Sequence, residues 1–464
     1  LAQKTANNLG EDRIGSLLFK LALPAITAQI INALYNIVDR IYIGHIPEIG
    51  AKALTGVGVT FPIIMLIAAF SSLIGMGGGP RASIKMGEGD NDGAEKIMSN
   101  CFVSLIGISI VLTAVFLLFQ RPLLLMFGAS GDTLPYAMDY MTIYVSGTIF
   151  VQMALGLNSF ITTQGFAKTS MMTVVIGAVL NIVLDPIFIF VFGMGVQGAA
   201  FATILSQAVS SIWVLRFLFG KRTILRIRKK YLKLEAKVIL PVLALGLSPF
   251  IMQGTESAVN IVLNSSLQRY GGDLAVGAMT ICSSVMQVAF MPLMGLAQGA
   301  QPIASFNFGA KKNDRVKKVF HLLFNCCLFF STAFWIALML FPHVFVRLFT
   351  PESELAEFTS WALRIYMAAG FMLGIQSSCQ QTFVSIGQAK TSLFLALLRK
   401  VILLIPLILI LPQFFANPVL GVFIAEPIAD FLAASATGVV FLCEFRRILA
   451  KNQPLQTLQN QMEP

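Results

Sequence analysis

The chain has 464 residues, 56% of them hydrophobic and 12% charged, with a formal net charge of +11. A soluble domain is about 25% charged, so this composition excludes an ordinary globular enzyme or soluble binding module and points to a protein built mostly of bilayer-spanning segments. The positive surplus does not indicate nucleic acid, because the basic residues flank apolar segments on one side.

Taken in order, twelve apolar segments follow one another, at residues 16–44, 53–80, 94–120, 133–157, 168–191, 194–219, 236–268, 273–303, 315–341, 357–380, 390–412 and 417–446. Each is long enough to cross a bilayer as a helix, and backbone polar groups in lipid must be satisfied within each segment. The stretch from Lys4 to Gly15 is polar and the run after it is full length, so no cleavable signal is expected. Loops are short except for a basic stretch at 220–237. The expected architecture is an all-α polytopic membrane protein. It has an N-lobe (1–219, spans one to six), a basic linker (220–237), and a C-lobe with a short tail (238–464, spans seven to twelve).

With the amino terminus inside, the inner flanks and loops hold 27 of the 33 Lys and Arg residues, Arg399 and Lys400 counted among them. This bias predicts a plasma-membrane protein with both termini in the cytoplasm. The 221–237 loop is expected to be a topological anchor in contact with anionic lipid.

The chain repeats itself at a shift of 222 residues. Pro80, Ala82 and Ser83 meet Pro302, Ala304 and Ser305; Gly87, Asn91 and Asp92 meet Gly309, Asn313 and Asp314; Ala167-Lys168-Thr169-Ser170 meets Ala389-Lys390-Thr391-Ser392. Near the end the shift becomes 223, where Gly198 meets Gly421. Each half holds an even number of spans, so both point the same way. Parallel repeats of this kind imply two pseudo-symmetric six-helix bundles around a central cavity, the plan of an alternating-access transporter.

An acid inside a span is costly and usually faces a cavity and a partner. Span one carries Asp39 in its outer half and Pro24 nearer its start, a proline that removes a backbone bond and permits a bend. Asn181 and Asp185 lie one helical turn apart late in span five, and Thr203 lies about nine residues into span six. At ~1.5 Å per residue all four share one layer. Two carboxylates, an amide and a hydroxyl suit a shared proton or an oxygen-ligated Na⁺; a purely structural pairing between helices is the competing use. In the second half, Glu256 lies in span seven and Glu426 and Asp430 form an i, i+4 pair in span twelve. They fit recognition of a cationic substrate or a second coupling ion, against salt bridges to Arg399 or Lys400. Met153, Met286, Met291 and Phe150 are candidates for a soft, adaptable drug-binding surface.

These residues resemble the multidrug and toxic compound extrusion (MATE) family over about residues 13–446, and within it the DinF-related branch of MepA-type exporters. The resemblance rests on the two six-helix halves, Pro24 fifteen residues before Asp39, the Asn181-x-x-x-Asp185 pair and Thr203. It implies antiport of organic cations against Na⁺ or H⁺, with the coupling site at Asp39, Asn181, Asp185 and Thr203 and a bending proline at Pro24. The NorM branch places acids in spans seven and ten. Glu256 matches the first, but span ten has no acid between Phe358 and Gln381.

Other signals carry less. Gly75-Met76-Gly77-Gly78-Gly79-Pro80 ends a span instead of following a strand, so it suits close helix packing and not a phosphate cradle. Six cysteines without a CxxC pair, and three scattered histidines, indicate neither a disulfide framework nor a metal centre. No cofactor is expected beyond the coupling ion. The reading is a monomeric antiporter, not an enzyme, that exports cationic amphipathic compounds and touches only lipid besides its cargo. The rivals are a flippase for lipid-linked precursors, which would favour cationic groups in the cavity, and a membrane-embedded prenyl transferase, which would need Asp-rich motifs absent here.

Overall fold

The computed structural model describes residues 8–350 and 352–452, and among these every regular element is helical. Six spans form the first half: α1 (Ile14–Gly44), α2 (Gly50–Gly87), α3 (Asn91–Leu118), α4 (Leu134–Ser146 and Thr148–Thr163), α5 (Ala167–Val191) and α6 (Gly195–Phe219). The second half begins with one long run, Ala236–Gly309, broken at Gly272 by a positive φ of 61° that only glycine adopts readily. The break separates α7 (236–271) from α8 (273–309). α9 (Asn313–Leu340), α10 (Ser353–Tyr366 and Gly370–Ser385), α11 (Ala389–Gln413) and α12 (Pro418–Lys451) follow. This is the expected count of twelve.

The repeat is visible in the breaks as well. α4 bends by 57° and α10, its counterpart, by 49°. A short helix follows α3 (Gln120–Met126) and another follows α9 (Pro342–Arg347), one repeat length apart. Several spans outrun the apolar segments that announce them. α2 continues to Gly87 and α8 to Gly309, because helical hydrogen bonding persists past the bilayer into the polar ends.

The two sequence halves do not pack as separate blocks. In α1, Leu17, Leu18, Leu21 and Ala22 are buried in the core of the second half, with Ala300, Ile303 and Ala304 of α8. Farther along, Ile43 is buried in the core of the first half, with Ile63, Ala137 and Tyr140. Pro24 lies just before the crossing, since Ile26 still packs against Gly295 of α8. α7 mirrors this: Ile239 and Val242 are buried with Ile74, Ala82 and Met98 of the first half, whereas Val259, Leu263 and Leu267 join the core of the second.

Close approach at these crossings depends on glycine. In lipid, apolar helices gain little from hydrophobic burial and associate through tight van der Waals contact, which small residues permit. A Cβ on Gly299 of α8 would stand 2.6 Å from the Ala22 Cα, and one on Gly77 of α2 would overlap the Val242 carbonyl of α7. At the end of the bundle that carries most of the basic residues, Gly87 and Gly309 lie against the backbone of the opposite lobe at Phe306 and Ile84. Ser83 donates to the Pro302 carbonyl there (3.2 Å). Nearer mid-depth, Gln253 donates to Ser72 (2.8 Å) and Phe70 meets Phe250 edge to face. These contacts close the lobes against each other from the middle of the bundle to its basic end.

Candidate ion-coupling site

The four residues singled out in the first half come together. Asn181 and Asp185 sit one turn apart on α5, both buried, and the Asn181 amide donates to Asp185 Oδ1 (3.1 Å) and to Thr203 Oγ1 of α6 (3.2 Å). Asp39 of α1 lies near Asp185, close enough for the two carboxyls to influence each other. Pro186 follows the pair and has no N–H to donate, and the next turn, Ile187–Val191, widens to π spacing.

Three buried oxygens of this cluster take no hydrogen bond from any donor among the described residues: Asp39 Oδ1, Asp185 Oδ2 and Asn181 Oδ1. A buried acceptor left without a donor costs about 1–3 kcal/mol, more for a charged group. Three such oxygens with a hydroxyl beside them make a donor set suited to a proton or a hard cation, which prefers oxygen ligands.

Two tyrosines that the sequence reading passed over complete the site. Tyr35 lies one turn before Asp39 on the same face of α1. Tyr140, buried on the first segment of α4, lies near Thr203. The i, i+4 spacing of Tyr35 and Asp39 was a usable signal; nothing local marks Tyr140, whose position depends on how α4 bends. A narrow cavity of about 50 Å³ adjoins the cluster, lined by Asn32, Tyr35, Asn158, Gly177, Asn181 and Thr203 among others.

The second half is built differently. Arg399 donates through Nε to Asp430 (2.6 Å) and through Nη2 to Glu426 (3.5 Å), and Lys400 donates to Glu256 (2.9 Å). The side chains of Arg399, Glu426 and Asp430 are each 7% exposed or less, while Glu256 is 55% exposed. Both cations sit on a π-helical stretch of α11, Leu398–Leu404. This corrects their assignment to the inner flank: they lie about ten residues inside α11, where buried acids hold them. The competing use of Glu256, Glu426 and Asp430, as salt-bridge partners, is therefore realised in this conformation.

Among the soft residues, Met153 is buried in the core with Leu105, Leu157 and Phe160, and Met286 in the core with Cys282 and Ala289. Both fill space between helices here. Met291 is half-buried and Phe150 is 37% exposed.

The MatE family profile matches residues 24–187 and 249–410, once in each half. The chain belongs to the MatE family. The multidrug export protein MepA of Staphylococcus haemolyticus is 24% identical over 425 residues, which span 91% of this chain and 93% of the relative. MepA of Staphylococcus aureus strain N315 is 25% identical over 419 residues, 90% and 91% of the two chains. A crystal structure of MATE in a bent conformation superposes with a TM-score of 0.89 at 23% identity, covering 95% of this chain and 97% of the other. Those solved coordinates share the fold, and the two MatE matches coincide with the two halves of the sequence repeat.

Proposed function

We propose that this MatE protein is a plasma-membrane antiporter that exports cationic, amphipathic compounds in exchange for H⁺ or Na⁺ by alternating access. The MepA relatives are multidrug export proteins aligned over nine-tenths of both chains, which supports the choice of cargo. The observation that carries the coupling is the set of buried, unpartnered oxygens on Asp39, Asp185 and Asn181.

The basic end of the bundle lies in the cytoplasm, with both termini on that side. The lobe-to-lobe contacts at Gly87, Gly309, Ser83 and Gln253 lie from mid-depth to that end, which fits an outward-facing arrangement. A proton or Na⁺ entering from outside binds between α1 and α5, drawing Asp39 and Asp185 together. α1 then changes its bend near Pro24, and the cavity releases its cargo. Linkage requires the converse: cargo weakens ion binding by the same factor.

Glu256, the exposed acid of the second lobe, serves as an anchor for the cargo's positive group, with Glu426 and Asp430 behind it. Met291 and Phe150 supply soft contact surface. The protein works as a monomer, because one chain builds both lobes. A lipid-precursor flippase is disfavoured because both intramembrane cations, Arg399 and Lys400, are engaged by acids.

The test is transport in proteoliposomes with a fluorescent organic cation, under separately imposed Na⁺ and pH gradients, in wild type and Asp39→Asn. Accumulation driven by one gradient and lost in the variant supports the assignment and identifies the ion. Equal accumulation by the variant removes Asp39 from the mechanism. No accumulation under either gradient overturns the antiporter reading.

A further inference from the structure

α1 is divided between the lobes, and its inner half is fastened by more than apolar packing. The segment before it, residues 8–13, lies on the second lobe. The Leu9 carbonyl accepts hydrogen bonds from Asn307 Nδ2 (2.8 Å) and Arg315 Nη2 (3.3 Å), the Gly10 carbonyl from Lys312 Nζ (3.0 Å), and the Asp12 carbonyl from Arg315 Nη2 (2.8 Å). Arg315 Nε is itself held by Asn307 Oδ1 (2.9 Å). Leu9 is 4% exposed, and Gly10 lies so close to Phe306 that a Cβ would stand 2.9 Å from its ring. Three of the four bonds to these carbonyls come from charged donors, which bind more strongly than neutral ones, so this attachment is strong for so short a segment.

The same device recurs in the other half with different residues. The segment before α7 lies on the first lobe. Glu95 accepts from Arg226 N (3.0 Å) and Arg228 Nε (2.8 Å), and Asn100 accepts from Glu235 N (2.8 Å) and donates to the Tyr231 carbonyl (3.4 Å). Lys96 pairs with Glu235 (2.7 Å). Each crossing helix is thus preceded by a segment tied to the lobe opposite its own outer half.

We propose that these segments are cross-lobe pins, and that Asn307 and Arg315 are positioning residues of the transport cycle. When the lobes part at the cytoplasmic end, the α2–α8 contact opens, but the pin keeps the inner half of α1 on the second lobe. The outer half stays with the first lobe, beside α5. The relative motion of the lobes is then concentrated where α1 crosses between them, beyond Ile26, and is delivered to Asp39 against Asp185. Without the pin, α1 slides as a whole and ion binding no longer commands the lobes. This rests on the alternating-access reading, and the experiment separates the two.

Spin labels on exposed positions of the full chain in liposomes report both motions, in a background whose native cysteines are replaced. The pair Glu88→Cys and Lys318→Cys spans the cytoplasmic seal; the pair Glu11→Cys and Lys318→Cys spans the pin. Across pH and Na⁺ conditions, the first distance shifts by several ångströms and the second stays constant. Lengthening of the pin distance together with the seal distance overturns the pin. A seal distance constant under every condition overturns lobe rocking itself, and the pin with it. In Asn307→Ala with Arg315→Ala, ion-dependent change at the seal is lost while ion protection of Asp39 from carboxyl-modifying reagent persists. Arg315→Lys, which keeps one cationic donor, recovers at least half of the seal movement. Wild-type seal movement in the double variant also overturns the proposal.

Discussion

The two lobes come from one repeated sequence, yet they treat buried acids in opposite ways. At the positions of Arg399 and Lys400, the first half has Gly177 and Ala178, 222 residues earlier. With no long side chains there, the first lobe keeps a cavity beside Asn181 and Thr203, and one carboxyl oxygen each of Asp39 and Asp185 has no donor among the described residues. In the second lobe the same stretch of helix is widened to π spacing, and two cations fill the space and engage three acids. One lobe leaves oxygens without donors and the other carries its own cations. On the proposed antiport reading, the duplicated fold supplies one site that loads and unloads an ion and one that is internally compensated.

The largest effect should come from the open lobe. Asp39→Asn removes one of the two facing carboxylates, so ion-driven accumulation should fall to background while insertion and folding persist. The ion's effect on cargo affinity, on the order of 5–150-fold for a coupled pair of sites, should vanish in equilibrium binding measured with and without the ion. Retention of that effect would place the coupling elsewhere.

The compensated lobe should answer in stability. Arg399→Met leaves Glu426 and Asp430 buried without their cation, a change that costs about 3–5 kcal/mol. Thermal unfolding in detergent should show a marked drop in Tm. Adding Glu426→Gln and Asp430→Asn should recover most of it, because the uncompensated charge is then gone. A triple variant as unstable as the single one would mean that Arg399 acts through its packing, including its position over the Phe290 ring.

A third substitution makes the open lobe more like the closed one. Gly177→Leu places bulk where Arg399 stands in the repeat; even a Cβ there would come 2.7 Å from Ser210 Oγ. Overpacking of this kind costs about 1–3 kcal/mol, and the filled cavity should slow ion-driven transport. Unchanged transport would show that the cavity beside Asn181 is not on the ion's route.

Much of this was legible from sequence because it follows from covalent spacing. Apolar runs mark the spans, the 222-residue shift marks the two halves, and the four-residue separation of Asn181 and Asp185 places both on one helix face. Convergence of Asp39 with Thr203 was also readable, since depth in a span scales with residue count. What sequence did not show depends on how helices cross. The exchange of α1 and α7 between lobes, the arrival of Tyr140 beside Thr203, and the pinning of residues 8–13 by Asn307 and Arg315 are all contacts between distant segments. Arg399 and Lys400 were misplaced for a related reason. A flank residue and an intramembrane cation look alike in sequence when the span begins only ten residues earlier, and the deciding fact is the acids that two other helices bring to them.

The smallest predicted effect is an asymmetry within a single ion pair. Lys400 and Glu256 are 2.9 Å apart, but the lysine side chain is 8% exposed and the glutamate 55%. Glu256→Gln strands a buried ammonium and should destabilise by about 2 kcal/mol, somewhat less than the ~3–5 kcal/mol of a fully buried pair. Lys400→Met frees a carboxylate that the neighbouring helices leave partly uncovered, so it should cost less than Glu256→Gln. The Lys400 variant also presents Glu256 without an internal competitor, so binding of an organic cation should tighten by a few-fold in the same detergent preparation. If Lys400→Met were instead the more damaging change and cation binding did not tighten, Lys400 would be serving Glu426 on its buried side, and Glu256 would not be an anchor for the cargo's charge.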